Sequence, residues 1–433
     1  MRVYTFFLDK MSELYKNWLK QTMKSRGKQT RTMKGVAGTM KRNVSFILAV
    51  AGFFVFLMHC SSFAELKLGN LRVYPEIGLE EMHRSNIYQT EHDRKSDFIT
   101  SILPGIRTEY LFGGSHSLNL GYSGAWRNYA RYSSNNYWDN RLRGDLRFRF
   151  PGGVDFGVEH RYINNWYERS VFIERQRHYT ENVTDAKASY RFADRWKAQL
   201  QYTRDDFNMS SSRDEIYSYL SDLYGGSLFY RFTARTSGLI EFQHVVKAFD
   251  RSDIYDSTVN QAFLGLSFDP EGKLAGRVKF GYGRKEFDRR LPGRDTRSNT
   301  WVADIDLIQN FTKYTSLSFS VLRAFHDDTY YANVPYYRTA AALTLQHYFT
   351  RKIGGRAMAW YDRADYQERT PEPFTGFFKE RTDKVYSTGI GAFYDIQKYL
   401  KVRLDYNYIN RDSNFENYSF GENRVMFKIV YSP

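Results

Sequence analysis

Eight short turns punctuate this chain at a nearly constant spacing, and each follows an aromatic residue that closes a run of alternating side chains. The residues are Phe112, Phe150, Phe192, Phe232, Phe268, Phe311, Phe349 and Tyr394, separated by 38, 42, 40, 36, 43, 38 and 45 residues. One more step of 37 lands on Tyr431, third from the C-terminal end. The runs themselves have a period of two. In 141–150, Leu142, Leu146, Phe148 and Phe150 fall in one column, and Arg141, Arg143, Asp145, Arg147 and Arg149 in the other. Successive side chains of a strand point to opposite faces, so this pattern predicts strands, and Pro151-Gly152-Gly153 predicts a tight reversal. Alternation alone fits either a half-buried soluble sheet or a membrane barrel.

The spacing narrows the choice. A period near 40 also suits propeller blades, but a blade needs four short strands, and here each repeat offers two long ones. The return crossings are longer than the turns and rich in charge and aromatics, as in 164–179, 284–298 and 363–380. Short turns on one side and long loops on the other describe an all-β, antiparallel, up-and-down transmembrane β-barrel. Eight short turns leave nine long loops and hence 18 strands, from 71–84 and 97–112 through to 400–409 and 422–431. Pro75 falls inside the first of these, so a 16-strand count with an N-terminal plug stays open.

Counting back by twos from each aromatic predicts the lipid face, for example Phe268/Leu266/Leu264 and Phe349/Leu345/Leu343. The other column is polar and faces the lumen. It places Arg143, Arg147, Arg149, Arg161, Arg277, Lys279, Arg403 and Lys428 inside, with Asp145, Asp155, Glu159, Asp304, Asp306 and Asp405 as acids able to pair with them. Cationic linings favour anions. The nine capping aromatics, Tyr431 included, form a predicted girdle at the periplasmic headgroup level. Val425, Phe427, Ile429 and Tyr431 alternate up to a final aromatic, which resembles the C-terminal strand by which outer-membrane barrels are recognised for assembly. Here Ser432-Pro433 follow that aromatic.

The formal charge of +15 suggests a nucleic-acid binder until its location is considered. Residues 1–64 hold eleven Lys/Arg against two Asp/Glu, whereas 65–433 carry a net charge of only +6. Nucleic acid is therefore not an expected partner. Within 40–64, Met40-Lys41-Arg42 precede a 15-residue apolar run, Val44 to Met58, and Ser62 and Ala64 supply small residues at a cleavage site. This is the anatomy of a secretory signal peptide, with 1–39 as an upstream extension and 65–433 as the barrel. The run is short of the ~20 residues a spanning helix needs. A lipoprotein at Cys60 is disfavoured by the bulky His59 before it. No cysteine remains in 65–433, so the exported part uses no disulfide.

No catalytic residue, cofactor or metal site is expected. There is no phosphate-binding glycine loop and no Cys or His set at metal spacing. His326-Asp327-Asp328 and Glu91-His92-Asp93 sit at predicted extracellular rims, where solvated loop charge is the plainer reading. Tyr336 and Tyr337 suit an upper aromatic girdle or stacking on sugars. No loop is clearly long enough to fold inward as a constriction.

The 369 residues after the signal, the 18 strands and the Tyr- and Arg-rich strand texture resemble the β-barrel porin type 2 family, especially its members encoded in exopolysaccharide clusters. The resemblance implies an integral protein of a Gram-negative outer membrane that takes part in exopolysaccharide export. Its implied partners are membrane lipid, the barrel-assembly machinery, periplasmic polysaccharide-export proteins and an anionic polysaccharide. It carries no functional residue to this chain. Two other readings remain: a general or anion-selective diffusion porin, and a structural, adhesive or enzymatic barrel.

Overall fold

The computed structural model describes residues 66–290, 295–327, 335–372 and 375–433. The predicted extension and the signal peptide with Ser62 and Ala64 lie outside the described residues. A three-residue strand, β1 (Leu66–Leu68), precedes β2 (Leu71–Arg84), β3 (Asp97–Phe112), β4 (His116–Tyr129), β5 (Tyr137–Phe150), β6 (Val154–Tyr167) and β7 (Arg177–Phe192). The wall continues with β8 (Trp196–Met209), β9 (Tyr219–Arg231), β10 (Thr236–Phe249), β11 (Ser257–Phe268), β12 (Leu274–Phe287) and β13 (Arg297–Asn310). It ends with β14 (Thr315–Asp327), β15 (Pro335–Tyr348), β16 (Ile353–Pro371), β17 (Phe378–Gln397), β18 (Leu400–Ser413) and β19 (Phe420–Tyr431).

Each strand from β2 onward pairs antiparallel with the next, and β19 pairs antiparallel with β2, from Arg424–Arg84 to Tyr431–Ile77. The sheet thus closes on itself through the eighteen long strands β2 to β19, as the turn count predicts. The strand carrying Pro75 is part of the wall. Its proline, which has no N–H to give, falls between the residues paired with β1 (Leu71–Val73) and those paired with β19 (Ile77 onward), in an interval of that edge that neither of these described strands pairs. At the predicted reversal, Gly152 and Gly153 take φ of +90° and +87°, a backbone region that favours glycine.

The curvature identifies the faces. Arg356 on β16 reaches Asp405 on β18 at 2.8 Å, and Lys279 on β12 reaches Glu241 on β10 at 3.0 Å. Side chains two strands apart meet only on the concave side, so the charged column lines the lumen. The opposite column bares Leu264 (65% exposed), Phe280 (53%) and Ile390 (65%) to the surroundings. With no water in the hydrocarbon layer, such a face belongs against lipid.

Phe112, Phe150, Phe192 and Phe268 end their strands, while Phe232, Phe311 and Phe349 follow theirs by one residue. The predicted girdle is incomplete at Tyr431, which is 7% exposed and packs edge-on against Tyr399 at 5.7 Å. That ring closes a joint between the last strands and is no free headgroup anchor. Val425, Phe427 and Ile429 share its outward column.

The two columns predict opposite tolerances. Leu345→Arg, on the lipid face, should destabilise the barrel by roughly 2–4 kcal/mol if it lies near the bilayer midplane, whereas Ser189→Arg, on the lumen face, should be tolerated. Urea unfolding in vesicles and heat-modifiable gel mobility check this, and equal effects would mean the faces are exchanged.

Candidate functional site: the lumen wall and the strap across its mouth

One stretch of lumen wall is dominated by arginine. On β5 and β6 the inward column carries Arg141, Arg143, Arg147, Arg149 and Arg161. Asp145 binds Arg147 at 3.0 Å, while Glu159 is shared by Arg143 at 2.8 Å and Arg161 at 3.5 Å. One carboxylate against two guanidiniums leaves cationic excess. Arg149 adds to it, because its side chain makes no hydrogen bond or ion pair among the described residues, although Asp155 lies directly opposite in register. Arg143, Arg147 and Arg161 are each about half exposed, open to the water of the lumen.

The other predicted lining cations divide. Arg277 is inward and exposed. Arg403 and Lys428 face one another across β18 and β19, and Asp405 is held by Arg356 instead. Lys279 departs from the expectation of an available charge. It is 6% exposed and clamped between Glu241 at 3.0 Å and Asp304 at 2.8 Å, so it braces the wall.

No loop is clearly long enough by sequence to fold inward as a constriction, and the connection that reaches across the mouth is the nine-residue β6–β7 loop, residues 168–176. Ser170 and Ile173 exchange backbone hydrogen bonds of 2.9 and 3.1 Å, which folds the loop into a tight turn with Phe172 at its tip. The Phe172 ring then lies 4.1 Å from the Arg411 guanidinium, 4.6 Å from that of Arg381, and edge-on to Tyr418 at 4.6 Å. Those partners come from β17, β18 and the β18–β19 loop. The loop therefore crosses the mouth inside β2 to β5 and β19, as a strap. Asp383 fixes both arginines, accepting from Arg381 Nε at 2.8 Å and Arg411 at 2.5 Å. Such desolvated cation–π contacts are worth up to about 2 kcal/mol each.

The strap's other end is tied by charge. Glu168 accepts from Arg84, from Tyr129 Oη at 3.1 Å and from Tyr137 Oη at 2.9 Å. Arg84, 3% exposed, also binds the fully buried Glu422 at 2.5 Å. Withdrawal from bulk water alone would push the Glu168 carboxyl up, but the Arg84 guanidinium and its hydrogen bonds outweigh this and bring it down to about 2. Further ties come from Gln176 to the Asn135 carbonyl at 2.8 Å and from Arg175 to Asp214 at 3.1 Å.

The rim residues read as possible chemistry are otherwise occupied. Asp327 is bound by Lys285 at 2.5 Å and Lys247 at 3.2 Å, and His326 stacks on Tyr336 at 5.5 Å. Asp93 holds Lys95 at 2.5 Å on an exposed loop. Asp328 lies outside the described residues. Among the described residues no group of three or more His, Cys, Asp or Glu is placed to hold a metal ion.

A family model described as "Putative beta-barrel porin 2" matches residues 65–432. No curated protein matches the chain. Among solved structures, OccK2 (OpdF) of Pseudomonas aeruginosa has 13% identity and a TM-score of 0.48, covering 83% of this chain and 98% of its own. OpdK of the same organism has 9% identity and a TM-score of 0.44, covering 83% of this chain and 99% of its own. The FrpB iron transporter from Neisseria meningitidis has 11% identity and a TM-score of 0.42, covering 78% and 62%. At these scores they assign neither solute nor site to this chain.

The strap can be tested without disturbing the wall. Glu168→Gln should leave the barrel folded but speed trypsin cleavage after Arg169 or Arg175 about tenfold, the effect of losing ~1.4 kcal/mol of local closure. The carboxyl's depressed value means that its contribution is complete above its ordinary value near 4.5 and is lost as pH falls through about 2. An acid-stable protease such as pepsin should therefore find the wild-type strap closed at pH 4 and opening toward pH 2. Cleavage indifferent to both changes would show that Glu168 does not hold it.

Proposed function

The chain belongs to the β-barrel porin 2 family, and from that premise we propose that it is a diffusion channel for small anionic solutes with its extracellular entrance narrowed by the strap. It is an integral barrel of a Gram-negative outer membrane, and eighteen strands enclose a lumen wide enough for water and solutes. The observation that carries the proposal is the strap itself. It is anchored at one end by Glu168 and at the other by Phe172, and it blocks part of the mouth with side chains held at both ends. A fixed obstruction of this kind suits sieving by size. A thick polymer would first have to break the Arg84–Glu168 contact and withdraw Phe172 from between two arginines.

The sign of the preferred solute follows from the β5–β6 wall. Glu159 serves two arginines and Arg149 serves none, so an entering anion finds uncommitted guanidinium donors on one side of the channel. Two unit charges about 4 Å apart interact by about 1 kcal/mol in water and by several times that where solvent is restricted. The carbohydrate-export reading, with periplasmic export proteins and an anionic polysaccharide as partners, rests on the family resemblance alone. Recognition of Val425, Phe427, Ile429 and Tyr431 by the assembly machinery fits either reading.

In planar bilayers the channel should prefer anions, with the preference weakening at high salt. Changing Arg143, Arg147 and Arg149 together to Gln should move the reversal potential toward that of cations, and Phe172→Ala should raise conductance. Gene deletion should slow uptake of small anions and leave surface polysaccharide intact. Loss of polysaccharide with unchanged uptake would replace this reading by polymer export, and an unselective wild-type channel would reduce the arginines to wall bracing.

A further inference from the structure

At one point in the described wall two long strands run on side by side without pairing. β13 and β14 pair from Asn310–Ser316 up to Ala303–Arg323 and no further, although β13 extends to Arg297 and β14 to Asp327. Over the same stretch β13 stays paired with β12, up to Arg297 opposite Glu286, and β14 stays paired with β15, up to Asp327 opposite Pro335. The wall therefore forks above Ala303. The upper end of β14 leans into the mouth. Phe325 lies over Gly283 of β12, where even a Cβ would come within 2.7 Å of its ring, and Asp327 reaches Lys285 and Lys247 on the lumen side.

Ladder groups left unpaired near lipid are costly, and side chains stand in for the missing strand partner. Tyr337 Oη donates to the Asn299 carbonyl at 3.3 Å and shares a hydrogen bond with Ser298 Oγ. Arg323 donates to Thr300 Oγ1 at 3.1 Å and to Thr339 Oγ1. Arg323 belongs by register to the outward column of Val321 and Phe319, yet it is folded into the fork with its guanidinium 4.6 Å over Trp301 and 5.4 Å over Tyr337. Its Nε is buried and has no acceptor among the described residues. Trp301, opposite Tyr282, is 52% exposed on the lipid side.

We propose that this fork is a lateral binding site, opening on the outer leaflet, for the anionic headgroup of an alkyl-chain amphiphile, with Arg323 as the headgroup ligand and Trp301 beside the chain. Three features converge on that class of ligand. A guanidinium stands at the top of an apolar column with a donor unspent, and a phosphate or carboxylate oxygen is the strongest acceptor for it. Trp and Tyr flank it, as they do at membrane interfaces. Widening the fork breaks side-chain hydrogen bonds only, because no ladder bond joins the strands there. An arginine serving solubility alone would extend toward water rather than turn in between two strands. The headgroup can belong to a resident anionic lipid or to a free fatty carboxylate. The site is independent of the channel reading, since it opens through the wall and away from the β5–β6 arginines.

The test uses bromine quenching of Trp301 fluorescence in the folded barrel, with Trp301→Phe giving the contribution of the other tryptophans. Brominated stearate or brominated phosphatidylglycerol should quench saturably, whereas brominated stearyl alcohol and phosphatidylcholine should quench only as bulk solvent does. The stronger of the two anions identifies the source. Arg323→Gln should weaken anion binding about tenfold, the loss of one charge-assisted contact, while conductance keeps its anion preference. A measurement free of any variant is competition in the wild type: unlabelled stearate should restore fluorescence and stearyl alcohol should not. Equal quenching by the neutral probes, failure of stearate to compete, or unchanged binding in folded Arg323→Gln would overturn the proposal.

Discussion

Every backbone N–H and C=O that crosses a membrane must find its partner inside the protein, and the rest of this structure follows from that demand. A sheet meets it only by closing, so β19 must return to β2, and because every pairing is antiparallel the number of strands is even. Closure divides the side chains absolutely between lipid and lumen. A one-residue slip would turn a whole column of arginines into hydrocarbon, which is why the alternation is kept so strictly along β5 and β6. The exceptions lie where the demand can be met otherwise. Pro75 occupies the interval of β2 that neither β1 nor β19 pairs, and the fork above Ala303 is filled by Tyr337 and Arg323.

The same separation of faces explains the character of the mouth. A lumen full of water cannot hold a loop by apolar burial alone, so the strap is held by charge at one end and by an aromatic ring between guanidiniums at the other. Arg84 is the centre of the first anchor. Buried almost completely, it is paired with both carboxylates: taking away Glu422 would remove its fully buried counter-ion, a loss typically worth several kcal/mol, whereas without Glu168 it keeps Glu422. Asp383 plays the matching part at the second anchor by holding Arg381 and Arg411 against Phe172. Rigidity at the mouth is thus bought with ion pairs that serve no solute.

Much of the wall was legible in the sequence because a strand's period and a tight turn's chemistry are local. The spans 71–84 and 97–112 agree with β2 and β3 to the residue, whereas β18 and β19 run four and two residues longer than 400–409 and 422–431. The extra residues lie mainly at the extracellular ends, where aromatic and charged side chains such as Tyr167 and Arg177 break the two-column pattern while the backbone ladder continues. What was not legible depends on partners distant in the chain. Arg84 meets Glu168 across 84 residues and Glu422 across 338, and nothing near residue 168 announces either. Lys279 looks like any lumen cation until curvature brings Glu241 over it from two strands away. Loop length was a poor guide to reach, because a nine-residue loop starting near the rim needs only one well-placed Phe to cross the mouth.

The lumen charges also explain why a formal count misleads. The inward column holds many cations, but its chemistry is set by how carboxylates are distributed among them. Lys279 has two acids and is spent, whereas Arg143 and Arg161 share one. Arg149 faces Asp155 across the ladder without an ion pair. Pairing along a strand face is limited by geometry, since neighbours in one column stand two residues apart and long side chains reach only the nearest acid. Uneven spacing of acids therefore converts a nearly neutral barrel into one with a cationic wall on β5 and β6 and a braced, neutralised stretch around Lys279. If the channel prefers anions, that unevenness is the source of the preference, and the net charge of the chain says little about it.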